Sequence, residues 1–71
     1  MDKWEKLLDA LAHFRSGLDL LEDLYQREGQ VKALLLSRVP LLGVPGSFQT
    51  VNSALVELTK QAMRQRDGAS H

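Results

Sequence analysis

The fold is decided by residues 4–25, which read WEKLLDALAHFRSGLDLLEDLY. Apolar side chains recur in this stretch at steps of three and four, the spacing that places them along one face of an α-helix. A helix with so long an apolar face has to bury it against another element. The residues of this predicted partner or dimer interface are Trp4, Leu7, Leu8, Leu11, Phe14, Leu18, Leu21 and Tyr25.

The composition limits how such a face can be buried. The chain has 71 residues, no cysteine and a formal net charge of zero. A chain this short forms one domain at most, and its own core rarely supplies more than roughly 3–5 kcal/mol of stability. Disulfides are excluded, and no cofactor or structural metal is indicated. We therefore expect a homo-oligomer, most simply a dimer, or a complex with a protein target.

The apolar phase of the first helix continues beyond Tyr25 through Val31, Leu34 and Leu35. No good N-cap residue lies just before Val31 that would start a new helix there. The pattern therefore favours one long helix from about residue 2 to about residue 38. Gly29 is the alternative stop, because glycine commonly ends helices, and a break there would permit a compact three-helix bundle.

A change in composition predicts where the second helix begins. Pro40 disfavours helical geometry in the preceding residue, and the prolines and glycines that follow predict a connection over about 39–46. Ser47 is a good N-cap residue, and the apolar spacing beyond it predicts a helix over about 47–66. The last residues, 67–71, are expected to be a frayed tail.

Together these elements predict one all-α domain over residues 1–71, an antiparallel helical hairpin that assembles as a dimeric helical bundle. If Ser47 lies beside Arg38, residues 4–17 overhang without a partner in their own chain and a second molecule has to cover them. The basic end of the second helix then approaches an acidic cluster on the first, although exposed ion pairs contribute at most about 1 kcal/mol each. The predicted electrostatic contacts are Asp19, Glu22, Asp23, Lys60, Arg64 and Arg66.

The side chains that could carry catalysis do not form a recognisable constellation. Asp9 and His13 have i, i+4 spacing, but a lone pair on a solvent-facing side is far more often a solvated contact than a metal site. The clustered carboxylates have no pocket that would shift a pKa and bind a substrate, and no glycine-rich phosphate loop is present. We therefore expect no enzymatic activity.

The expected function is protein binding, by a small adaptor, chaperone or inhibitor that uses an apolar helical face. The alternative is a small dimeric DNA-binding transcriptional regulator that would contact phosphates through Arg38, Lys60, Arg64 and Arg66. Nucleic acid is the less favoured partner, because few basic residues accompany the second helix outside its last turns. A salt-dependent shift of random duplex DNA would favour the regulator.

Localisation follows from two expectations. The N-terminus is charged and amphipathic, without the basic and then apolar pattern of a secretory signal. The most apolar window, residues 31–46, is too short and too interrupted to cross a bilayer. We therefore expect a cytoplasmic protein with no membrane partner.

Overall fold

The computed structural model describes residues 2–69, and the predicted all-α class is confirmed. Three α-helices and one short 3₁₀-helix make up this part of the chain, and none of these residues lies in a β-strand. The elements are α1, α2, the 3₁₀-helix and α3, with the bounds Lys3–Arg27, Gly29–Arg38, Pro40–Gly43 and Ser47–Ala69.

The helix that the sequence favoured over about 2–38 is broken at Glu28, one residue before the predicted alternative at Gly29. Glu28 has extended backbone angles (φ −113°, ψ 104°) and lies between α1 and α2. Its N–H still donates to the Leu24 carbonyl at 2.8 Å, and its own carbonyl accepts from the Lys32 N–H at 3.0 Å. Glu28 thus closes one helix and opens the next, and few backbone hydrogen bonds are lost at the break.

The connection to α3 is more ordered than a simple loop. The Pro40–Gly43 turn folds back on α2, and an added Cβ at Gly43 would stand 3.0 Å from Leu36 Cδ2. Ser47 does not act as the N-cap that the sequence predicted, because its hydroxyl donates to the Leu42 carbonyl at 3.0 Å. Gly46, with a φ of 77°, instead precedes α3, and its carbonyl accepts from the N–H and the hydroxyl of Thr50.

Helix α3 packs along α1, beginning near the C-terminal end of α1. The rings of Tyr25 and Phe48 are tilted against each other with centroids 5.3 Å apart. One turn further along α3, Asn52 shares a groove with Leu18, so α3 numbers rise as α1 numbers fall. The buried residues between the two helices are Leu11, Phe48 and Ala62.

This register corrects the predicted overhang of residues 4–17. The start of α3 lies beside Glu22, Tyr25 and Gln26, not beside Arg38, because the connection returns along α2. The N-terminal half of α1 is therefore covered within the chain, and Leu11 is only 7% exposed. Helix α3 also runs through Ala69, past the predicted end near residue 66, so that residues 67–69 of the predicted tail are helical. Residues 70–71 of that tail lie outside the described part.

Helix α2 projects beyond the α1–α3 pair. The molecule is 50 Å long, whereas α1 with its 25 residues spans about 37 Å at 1.5 Å per residue. Within residues 2–69, no Cα atom of α2 approaches α3 closely, and α2 contacts only α1 and the 3₁₀-helix. The alternative of a compact three-helix bundle is therefore not what the described residues form.

Candidate interaction surface

The α1–α3 pair has two open sides, one on each flank of the line of buried residues. On α1, Asp19 and Phe14 flank the line of buried residues on opposite sides, as the helical repeat requires. On α3, Asn52 and Val51 flank the buried Phe48 in the same way. One groove is lined by Asp19 together with Asn52, so these two residues lie on the same side of the pair. Phe14 and Val51 therefore share the other side.

The side with Phe14 is apolar, and we name it the α1–α3 face. Phe14 is 56% exposed and Leu58 is 42% exposed, large fractions for side chains of this size. Within the face, α1 contributes a flank of mixed large and small residues, and α3 contributes a shorter row. The members of the face are Ala10, Phe14, Gly17, Leu21, Leu24, Val51, Ala54 and Leu58. Contiguous apolar surface of this kind is typical of interaction sites.

The predicted interface residues divide between the core and this face. Leu11 is buried, and Phe14 is exposed. The others are half-buried along or beside the seam with α3: Trp4, Leu7, Leu8, Leu18, Leu21 and Tyr25. Sequence reasoning treated this row as a single stripe, whereas α3 covers only one part of it. Phe14 and Leu21 remain on its uncovered side.

One exposed residue beside the face was missed from the sequence. Leu20 is 62% exposed and lies next to the flank formed by Ala10, Gly17 and Leu24. The signal was available, since Ala10, His13, Gly17, Leu20 and Leu24 also recur at steps of three and four. This second row runs along α1 beside the predicted seam, and small or polar residues in its first half obscured it.

The predicted electrostatic contacts do not form the arrangement expected from the sequence. Asp19 and Glu22 lie beside Gln49 and Asn52 of α3, not beside basic residues. This follows from the register, which carries the basic end of α3 away from them, toward the N-terminal end of α1.

Three of these six residues form ion pairs with neighbours on their own helices. Asp23 Oδ1 forms an ion pair with Arg27 Nε at 2.8 Å, and Lys60 Nζ lies 3.4 Å from Glu57 Oε1. Arg66 Nε lies 3.4 Å from Asp67, and Arg64 is exposed. Pairs between exposed neighbours on one helix contribute only a few tenths of a kcal/mol.

Arg15 is an unusual member of the surface that α1 turns toward α3. The residue is half-buried, and its Nε is enclosed without a hydrogen-bond partner. Its aliphatic stem covers apolar surface, as arginine stems commonly do. Enclosing a donor without a partner lowers stability.

The described residues do not gather metal ligands. Within residues 2–69, no group of three or more histidine, aspartate and glutamate side chains could hold a metal ion. Asp9 and His13 approach to 3.6 Å, but both side chains are largely exposed. In the same part of the chain, no helix combines the length and apolarity that crossing a membrane requires.

The chain exposes more surface than its mass predicts. A folded monomer of 8.0 kDa is expected to expose about 4,450 Å². This chain exposes 5537 Å², an excess of about 1,100 Å² over that expectation. Only Leu11, Phe48 and Ala62 are buried among the described apolar residues, so the core is thin.

Comparisons with known proteins add no assignment, because no family model, curated protein or solved structure matches the chain. The character of the surface therefore rests on its own geometry: one side of two packed helices that exposes Phe14, Val51 and Leu58.

Proposed function

We propose that this chain is a non-enzymatic protein–protein interaction module, a small adaptor, chaperone or inhibitor that binds through the α1–α3 face. The observation that carries the proposal is the exposed apolar side formed by Phe14, Val51 and Leu58 on a protomer with so few buried residues. Covering this side would remove apolar surface from water, at about 25 cal/mol per Å². Partner binding thereby supplies stability that the thin core lacks.

The partner we propose is a homodimer mate, a protein target, or both in turn. A helical partner fits best, because the exposed sides of two packed helices present rows of side chains against which the ridge of another helix can pack. In the dimer, two α1–α3 pairs would form a helical bundle with the apolar faces inside.

The DNA-binding alternative gains no support from the placement of its residues. Arg38 ends α2, whereas Lys60 and Arg64 lie on the part of α3 that runs toward the opposite end of the molecule. Lys60 already has Glu57 at 3.4 Å. Phosphate contacts require several basic groups aligned along one surface, and these residues are not aligned in that way.

Charge introduced into the face tests the proposal. Phe14→Glu should reduce partner binding, whether the partner is a second copy or another protein, because the carboxylate would lose water on docking. Gln49→Glu, on the polar side of the pair, is the matched control. Sedimentation over a range of concentrations measures self-association, circular dichroism checks that both variants remain helical, and binding of proteins from the host lysate is compared among the three forms.

Two results would contradict the proposal. The first is a wild-type protein that stays monomeric at all concentrations and retains the same lysate proteins as Phe14→Glu. The second is a salt-dependent shift of random duplex DNA by the wild type that Phe14→Glu leaves unchanged, which would favour the regulator instead.

A further inference from the structure

The flank of α1 within the α1–α3 face contains a glycine that the protomer itself does not require. Gly17 lies in the middle of α1, and an added Cβ there would meet nothing within 4 Å. Its φ is not positive, so the backbone does not demand glycine either. Glycine inside a helix is less stable than alanine. A close approach by something outside the protomer would explain the residue, because glycine lets two helix backbones come near each other.

Two copies of this flank are complementary to each other when they run antiparallel. Ala10 and Leu24 lie seven residues before and after Gly17 and therefore on the same flank of α1. If a second α1 lies antiparallel across Gly17, Ala10 comes beside the partner's Leu24, small against large. Phe14 then comes beside the partner's Leu21, which lies on the same flank and gives the ring an apolar neighbour.

Charge at the ends of the flank selects the antiparallel direction. Lys6 and Glu28 are exposed near opposite ends of α1. They are separated by about 33 Å along one helix, so they cannot meet within a protomer. An antiparallel mate places Lys6 near the partner's Glu28 twice over, by symmetry. A parallel mate would instead place Lys6 beside the partner's Lys6 and Glu28 beside the partner's Glu28.

The surface exposed by the whole chain leaves room for a dimer interface of standard size. The surface excess of the protomer, about 1,100 Å² over the monomer expectation, exceeds the roughly 800 Å² that each partner buries in a standard interface. An interface of standard size on the α1–α3 face would thus bring the protomer's exposed surface to about that of a folded monomer.

From these observations we infer that the occupant of the α1–α3 face is a second copy of this chain, bound antiparallel about a two-fold axis that passes near Gly17. The inference rests on the proposed function, since it uses the same face, and it adds the identity of the partner and its direction. Phe14 docks on the partner's helix α1, and Gly17 lies opposite its own counterpart at the closest approach.

Engineered cysteines test the direction, because the native chain has none. Ala10→Cys and Leu24→Cys variants are treated with a short bismaleimide, each alone and as an equimolar mixture. The antiparallel dimer gives covalent dimers chiefly in the mixture, since residue 10 faces residue 24 of the other copy. Asp19→Cys, on the side of α1 opposite Gly17 and exposed, is the control and should remain uncross-linked.

Two substitutions measure the contacts in solution. Gly17→Leu should raise the dimer Kd about ten-fold or more, as overpacking does in a closely packed interface. Lys6→Glu should raise the Kd about three-fold, as expected for exposed pairs, and adding Glu28→Lys to the same chain should restore it. Restoration across about 33 Å of helix is possible only in trans.

Two other outcomes overturn the inference, and they bear differently on the proposed function. If Ala10→Cys and Leu24→Cys cross-link as well alone as in the mixture, the copies are parallel and the antiparallel axis is wrong. If the wild type is monomeric and no variant cross-links, a second copy is not the occupant. In that case the proposed function still stands provided that Phe14→Glu weakens binding to another protein, and it fails if Phe14→Glu does not.

Discussion

Phe48 connects the start of α3 to the C-terminal half of α1, and its removal gives a quantitative test of the packing. The residue is 7% exposed, and its ring lies 5.3 Å from that of Tyr25. A phenylalanine side chain presents roughly 150–250 Å², and nearly all of it is removed from water here. Phe48→Ala should therefore cost about 3–4 kcal/mol, from lost transfer energy and a residual cavity.

That loss is close to the whole stability expected of a chain of this size. Phe48→Ala is thus expected to be largely unfolded, and Phe48→Leu is the variant to quantify. Leucine keeps most of the apolar volume but loses the ring pair with Tyr25, for a cost of about 1–1.5 kcal/mol. Leu41→Ala is the matched control: Leu41 is 75% exposed, so truncating it should change stability by less than about 0.5 kcal/mol.

Urea unfolding at a fixed protein concentration, followed by circular dichroism, gives the free energies. Combining Phe48→Leu with Tyr25→Leu in a double-mutant cycle should show a coupling of about 0.5–1.5 kcal/mol, the usual value for an aromatic pair. The reasoning is refuted if Phe48→Ala still unfolds cooperatively and has lost no more free energy of unfolding than Leu41→Ala. The start of α3 could not then be packed against Tyr25.

Two further substitutions test individual residues by the same unfolding measurement. Arg15→Met should raise the free energy of unfolding by about 1 kcal/mol, because methionine keeps the apolar stem and removes the enclosed, unpartnered Nε; a loss of stability would mean that the guanidinium has a partner that matters. Gly46→Ala should cost about 1 kcal/mol, because Gly46 has a φ of 77° where a Cβ is strained. Gly68→Ala, in a helical segment with open space around it, should instead be neutral or slightly stabilising, and equal losses at both positions would contradict the assignment of strain to Gly46.

The helices themselves could be predicted from the spacing of apolar residues, because each carries a stripe at the helical repeat. The starts of α1 and α3 also follow from local signals, with Asp2 just before α1 and a proline- and glycine-rich connection before α3. The ends do not, since α1 stops at Arg27 and α3 runs through Ala69. The break was harder to place. Gly29 attracted the prediction because glycine ends helices, yet the extended residue is Glu28, and Gly29 is the first residue of α2.

The packing register could not be obtained from the sequence. It depends on how the connection folds back, through the approach of Leu36 to Gly43 and the hydrogen bond from Ser47 to the Leu42 carbonyl. Neither contact has a pattern in the sequence that would reveal it. Without them, pairing Ser47 with Arg38 was the simplest geometry, and the predicted overhang and electrostatic contacts were drawn from that pairing.

The break at Glu28 determines which apolar surface stays exposed. With a continuous helix, α3 would begin beside Arg38 and leave the N-terminal end of α1 uncovered. A partner would then have to bind beyond the end of α3, along the long axis of the molecule. In the structure α3 begins about twelve residues, or about 18 Å, nearer the N-terminus of α1. The N-terminal end of α1 is then covered by α3, and the exposed apolar surface lies instead on the side that carries Phe14 and Leu58. A partner that covered this side would lie alongside the pair. The stripe of α1 thus predicts a binding surface in either register, and the register determines where that surface lies.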